Sequence, residues 1–119
     1  MKIVLVACLF AAACSKKEEA PTNQRPVAIP TAERTRGTDA CKAYVDKLCA
    51  CAKAHPERAD VKDRCDRDQA LPSAMSLALG IDDDPDVAPE DVFRAQGEAR
   101  KVISTCVEGV NWLATHQCQ

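Results

Sequence analysis

The chain has 119 residues, a formal net charge of −2 at pH 7 and eight cysteines. Residues 39–119 hold ten Lys and Arg against fifteen Asp and Glu. Proteins that bind the phosphate backbone of nucleic acids carry an excess of basic residues, whereas this segment carries an excess of acidic ones. No nucleic-acid partner is therefore expected. The same segment is too short to bury two separate cores and predicts one small domain.

The N-terminus has the three-part layout of a secretory signal. Lys2 gives a basic start, residues 3–10 form an apolar run, and three alanines precede Cys14. About ten apolar residues are too few to span a bilayer, which needs roughly 20 in a helix. We therefore predict that residues 1–13 are a cleaved signal peptide. Cleavage at Cys8 instead would leave a shorter apolar run than such signals use.

The residues around Cys14 resemble the lipobox of bacterial lipoproteins, in which an aliphatic residue and small residues precede the cysteine. Ala11 stands three positions before Cys14, and Leu9 lies two further back. The resemblance implies that acylated Cys14 becomes the mature N-terminus and anchors the protein in the lipid bilayer without spanning it. Ser15, in place of Asp, implies the outer membrane of a Gram-negative envelope, in its periplasmic leaflet or at the cell surface. An ordinary secreted protein, cut after Ala13, is the alternative.

Residues 14–38 are predicted to be the lipidated cysteine followed by a disordered tether. After Cys14 the segment has mixed charges and few apolar side chains, and it contains three prolines, Pro21, Pro26 and Pro30. Such a composition buries too little apolar surface to offset the entropy of ordering. Its five basic and three acidic residues give a net charge of +2, which would weakly favour anionic headgroups.

The domain at residues 39–119 is rich in cysteine and poor in large apolar residues. If Cys8 is removed with the signal peptide and Cys14 carries lipid, six cysteines remain, which can form three disulfides without an unpaired thiol. An even number in a small exported domain predicts a disulfide framework. These six are Cys41, Cys49, Cys51, Cys65, Cys106 and Cys118.

Apolar residues at helical spacing predict an all-α, disulfide-stapled bundle of three main helices, with room for a short fourth, in an up-down-up arrangement. We expect a first helix over residues 39–55, with Thr38 or Asp39 as N-cap. A second helix would begin near Pro56 or Asp60 and end before Pro72.

A short further helix over residues 72–79 would end at Gly80, followed by an acidic loop over 81–88. A long last helix would start at Pro89, which suits a first helical position. Its predicted buried stripe comprises Val92, Ala95, Ala99, Ile103, Cys106, Val110 and Leu113.

The pairing of the six cysteines stays open, because six cysteines allow 15 connectivities. Cys49 and Cys51 are separated by about 200° around a helix, so they should bond to different neighbours. The pairing that we favour is Cys41–Cys106, Cys49–Cys118 and Cys51–Cys65.

Two other groups of residues have the chemistry of a binding site. Cys49 and Cys51 with His55, and His116 beside Cys118, would supply ligands for a metal or thiol-redox carrier. However, the spacing is not the paired CxxC of structural zinc sites. In an oxidising compartment, thiolates are also converted to disulfides and are lost as metal ligands. The acidic residues 82–86 lack the spacing, the glycine and the closing Glu of a calcium loop, so we expect a solvated loop there.

The sequence therefore favours an envelope lipoprotein that presents a rigid helical module for protein interaction or structural support. It resembles small cysteine-rich lipoproteins of Gram-negative bacteria in its leader and its cysteine count. No nucleophile elbow or phosphate-binding glycine loop is present, so we expect neither an enzyme nor a cofactor. The metal or thiol-redox carrier using Cys49, Cys51 and His55 is the alternative function.

Overall fold

The computed structural model describes residues 24–118. The predicted signal peptide and Cys14 lie outside these residues. Within them the protein is all-α, as predicted, and forms a small disulfide-bonded bundle. Its four helices are α1 (Thr31–Ala54), α2 (Ala59–Asp68), α3 (Leu71–Asp83) and α4 (Pro89–Thr115).

The helices follow the predicted up-down-up path. Two shorter helices, α2 and α3, together form the middle, antiparallel part. α1 and α4 run parallel, because Arg100 pairs with Glu33 near one end of the bundle and Cys51 is bonded to Cys118 at the other. α2 and α3 run antiparallel to them. Their 10 and 13 residues together nearly match the 24 residues of α1.

The start of α1 differs from the prediction. The helix begins at Thr31, directly after Pro30, and neither Thr38 nor Asp39 caps it. The predicted domain boundary at residue 39, and the disordered tether over residues 24–38, are therefore wrong. The first two turns of α1 contain no large apolar side chain that would signal a helix. They are held instead by contacts with residues that are distant in sequence.

α3 is also longer than predicted. Gly80 does not end the helix, which continues to Asp83, so the connecting loop covers only residues 84–88. The reason is that the turn after Gly80 is anchored: Ile81 is half-buried and Asp82 is almost fully buried. A glycine inside a helix costs about 1 kcal/mol relative to alanine, which this burial offsets.

The core is built around Tyr44, which is fully buried between α1 and α4. The predicted stripe on α4 is confirmed for five of its seven residues, which are Val92, Ala95, Ala99, Cys106 and Leu113. Ile103 is only half-buried, and Val110 is exposed. Gly109 takes the inward position beside Tyr44, because a Cβ there would overlap the Tyr44 ring.

Each disulfide joins α1 to another part of the chain. The Cys41–Cys106 pairing is confirmed, whereas the predicted Cys49–Cys118 and Cys51–Cys65 pairings are wrong. The observed bonds are Cys41–Cys106, Cys49–Cys65 and Cys51–Cys118.

The faces of α1 explain this exchange of partners. Cys51 lies seven residues, or about two turns, after Tyr44 and therefore shares the face that packs on α4. Cys49 is turned away from that face and meets Cys65 on α2. The expectation that the two cysteines bond to different neighbours is confirmed.

Two glycines of α4 provide a matched test of this packing. In Gly109→Ala the new methyl group collides with the Tyr44 ring, so we expect a loss of about 1–3 kcal/mol in unfolding free energy. In Gly97→Ala the methyl group enters open space, so a gain of about 0.5–1 kcal/mol is expected. Urea unfolding with the disulfides intact measures both, and equal effects would contradict the described contact.

Candidate functional site

The cysteines considered as metal ligands or redox groups are all disulfide-bonded. Cys49 is joined to Cys65 and Cys51 to Cys118, so neither offers a thiolate. The His55 side chain is half exposed, and its Nδ1 lies 3.3 Å from Glu57 Oε1. Between residues 24 and 118, no three His, Cys, Asp or Glu side chains are grouped in a way that could hold a metal ion.

The end of the bundle that carries the Cys51–Cys118 disulfide has a shallow hollow of about 280 Å³, with Lys47 and His55 in its wall. Arg58 fastens the chain end there. Its Nη1 donates a hydrogen bond of 2.8 Å to the His116 carbonyl and lies 3.7 Å from Cys118 Sγ. These contacts close the bundle at that end.

A second polar cluster joins α1, α2 and α4 around the Tyr44 hydroxyl. Tyr44 Oη donates to Asp68 Oδ2 at 2.5 Å and accepts from Arg64 Nε at 2.7 Å. The Arg64 guanidinium also lies 4.4 Å from the centre of the Trp112 ring, which stacks on His116. Burial raises the pKa of Tyr44, although the Arg64 hydrogen bond opposes the rise. The phenol therefore stays protonated as the donor to Asp68.

Asp82 is the centre of a third cluster, and the sequence did not single it out. It was expected in a solvated acidic loop, but it lies in the last turn of α3 and is 2 % exposed. Its two carboxylate oxygens accept hydrogen bonds from the Ile29 backbone N–H, Arg34 Nη2 and Gln96 Nε2. One carboxylate thus joins the N-terminal segment, α1, α3 and α4.

The hydrogen bonds to Asp82 govern its ionisation. Burial on its own raises the pKa of this carboxyl, but the hydrogen bonds from Gln96 and Ile29, together with the Arg34 charge, outweigh it and leave the pKa below its usual value. Asp82 is therefore ionised at neutral pH. Every buried side-chain N or O atom within residues 24–118 has a hydrogen-bond partner, so this cluster is satisfied by the protein itself.

Arg25 completes the attachment of the N-terminal segment. Its guanidinium donates to the backbone carbonyls of Asp82, Asp84 and Val87, at 2.9, 2.7 and 3.2 Å. The Ile29 side chain is buried in the core cluster. Arg25 and Arg34, which the sequence assigned to the tether, are therefore part of the folded domain.

A surface groove of about 530 Å³ runs between α3 and α4. Leu77, on its α3 side, is 69 % exposed. A second hollow of about 480 Å³ lies on the other flank of α3 and shares Leu77 and Ile81 with the groove. The apolar residues of the α3–α4 groove are Ala74, Leu77, Ala78, Ile81, Val87 and Ala95.

The groove has a charged border on α4, where Asp91, Arg94 and Glu98 line it. Arg94 is engaged in an ion pair with Asp91 at 3.0 Å. Glu98 makes no ion pair with another residue of the described range. This groove therefore combines an apolar floor with a border that has one excess negative charge, that of Glu98.

Comparison with known proteins finds no matching family model, no matching curated protein and no matching solved structure. Among the helices of residues 24–118, none is long and apolar enough to cross a membrane.

The two neighbouring carboxylates at the end of α3 form a matched pair for testing the Asp82 cluster. The side chain of Asp82 is 0 % exposed and that of Asp83 is 64 % exposed, yet both pair with Arg34. We expect Asp82→Asn to lower the unfolding free energy by about 3 kcal/mol, because it removes one charge of a buried pair. Asp83→Asn should cost less than about 1 kcal/mol.

The ionisation of Asp82 also predicts how stability depends on pH. Since the folded protein lowers the pKa of Asp82, its stabilising contribution is complete above the unfolded-state value of about 3.9 and is lost as the pH falls through the folded-state pKa. The stability difference between wild type and Asp82→Asn, followed by urea unfolding, should therefore shrink below about pH 4. A difference that does not change with pH would show that Asp82 is not ionised in the native cluster.

Proposed function

We propose that the mature protein is a lipid-anchored envelope protein. In this proposal Cys14 carries the acyl chains, and residues 24–118 form a rigid module that serves protein interaction or structural support. The proposal is supported chiefly by the cysteine pattern. All six cysteines beyond Cys14 are paired as disulfides, which form and persist in oxidising compartments.

The distance between the anchor and the module is short. Gln24, the first described residue, lies ten positions after Cys14, with nine residues between them. A fully extended chain covers at most about 3.5 Å per residue, so Gln24, where the module begins, would stay within roughly 35 Å of the bilayer. Its partners would therefore be other components near the same membrane.

An interaction role agrees with how the module uses its polar groups. Its buried polar clusters are satisfied internally and hold the fold together, whereas several large apolar side chains are exposed. Leu77 and Phe93 are 69 % and 73 % exposed. Exposed apolar surface with a polar border is typical of protein-interaction sites.

The alternative function, a metal or thiol-redox carrier, requires free thiolates at Cys49 and Cys51. Both sulfurs are bonded to partners elsewhere in the fold. The exposed His55 then stands beside a disulfide, which has little affinity for metal ions. We therefore do not propose this function.

Intact-mass measurement of the protein purified from the envelope of a Gram-negative host tests the proposal. We expect a polypeptide that begins at Cys14 and carries the added mass of acyl chains. Alkylation before reduction should add nothing, and alkylation after reduction should add six groups, two for each disulfide.

The control is Cys14→Ser, which should yield the unprocessed precursor or an unacylated product. A wild-type protein that begins at another residue without acyl mass would remove the anchor from the proposal. Free thiols in the native protein would instead favour the carrier.

A further inference from the structure

The acidic charge of the domain is concentrated beside the α3–α4 groove. Residues 71–98 contain a single basic residue, Arg94, and seven acidic residues. Residues 39–70 are balanced, with seven basic and seven acidic residues, and residues 99–119 hold two basic and one acidic. The negative charge of residues 39–119 therefore comes from the two helices that form the groove and the loop between them, and Arg25 and Arg34 of the N-terminal part offset a share of it.

Much of this charge is available to a partner. Asp82 and Asp83 are paired with Arg34, and Asp91 with Arg94. Four further carboxylates in this stretch make no ion pair with any other residue of the described range, and all four are exposed. The four are Asp84, Asp86, Glu90 and Glu98. Only Glu98 lines the groove itself, and the other three lie in the loop or in the first turn of α4.

The size of the groove suits a short helical segment. Its α3 wall runs from Ala74 to Ile81, which is about 10 Å at a rise of 1.5 Å per residue. Two turns of a docked helix have the same length, and such helices place apolar anchors at positions i, i+3, i+4 and i+7. Leu77 stands at the middle of this wall and is exposed.

We propose that the α3–α4 groove binds an amphipathic helical segment of a partner protein, with apolar side chains against Leu77 and lysine or arginine residues facing the acidic border. This inference rests on the proposed interaction function and specifies its site and the chemistry of its partner. The acidic border opposes an anionic lipid surface and favours a basic polypeptide. A contact of about two helical turns belongs to the small end of protein interfaces, which is typical of transient complexes.

The test uses the mature protein in zwitterionic lipid nanodiscs, with empty nanodiscs as the blank. Fluorescence anisotropy measures the binding of a labelled peptide with leucines at i, i+3, i+4 and i+7 and lysines on the flanks. Two matched peptides replace the lysines with glutamates or shuffle the leucines. Only the first peptide should saturate, and its affinity should fall as salt increases.

Protein variants locate the binding site. Leu77→Ser should weaken binding about tenfold, as expected for losing a buried leucine contact. Val110→Ser, which changes an exposed apolar residue of α4 that does not line the groove, should leave binding unchanged. Glu98→Lys should weaken it several-fold, whereas Glu108→Lys, the same charge change on the same helix, should not.

Several results would overturn the groove proposal. These are no saturable binding, equal binding of the lysine and glutamate peptides, or no effect of Leu77→Ser. A dimer in sedimentation that Leu77→Ser dissociates would assign the groove to a second copy of this chain. Binding to anionic vesicles that Leu77→Ser abolishes would assign it to lipid.

Failure of this inference can be separated from failure of the proposed function. Photocrosslinking in the envelope, with a reactive group at position 77 or at position 107, reports which face meets a protein. Crosslinks from position 107 alone would overturn the proposal that the groove is the binding site, but they would support a protein-interaction function for the module. The mass measurement on Cys14 decides the anchor independently of both positions.

Discussion

α1 contributes one cysteine to every disulfide of residues 24–118, and the rest of the fold depends on that arrangement. The bonds tie it to α2 at Cys49, to α4 at Cys41 and to the chain end at Cys51. Two of them join residues 65 and 67 positions apart, which in the chain-entropy model restrict the unfolded chain by about 4 kcal/mol each. A domain whose core holds a single buried aromatic ring and much alanine needs such constraints.

α3 is the exception, because it contains no cysteine. It is held by the burial of Met75 and Ala78 and by the Asp82 cluster at its end. The bundle is therefore fastened in two ways, by covalent bonds around α1 and by a buried ionised carboxylate at α3. No disulfide joins α3 to the rest of the bundle, so its position depends on its packing against α4 and α1 and on the Asp82 cluster.

Much of the fold could be predicted from helical spacing and cysteine parity, and the errors have identifiable causes. The first turns of α1 were missed because Arg34 and Gly37 carry no periodic apolar signal. Their partners, Asp82 and Ile103, are far away in sequence. The exchanged disulfides could have been assigned correctly from the seven-residue spacing of Tyr44 and Cys51. Asp82 could not be separated from its acidic neighbours, because burial depends on how the N-terminal segment folds back over α3.

The arrangement of disulfides also determines where mechanical tension would travel. A pull between the N-terminal segment and Cys118 passes along the backbone of α1 and then crosses directly through the Cys51–Cys118 bond or the Cys41–Cys106 bond. Residues 52–105 lie inside covalent loops, so they carry none of the covalent load once the contacts of Arg25, Ile29 and Arg34 with Asp82 and its loop are broken. α2, α3 and the first half of α4 would thus keep their shape while the stretched chain bears the force.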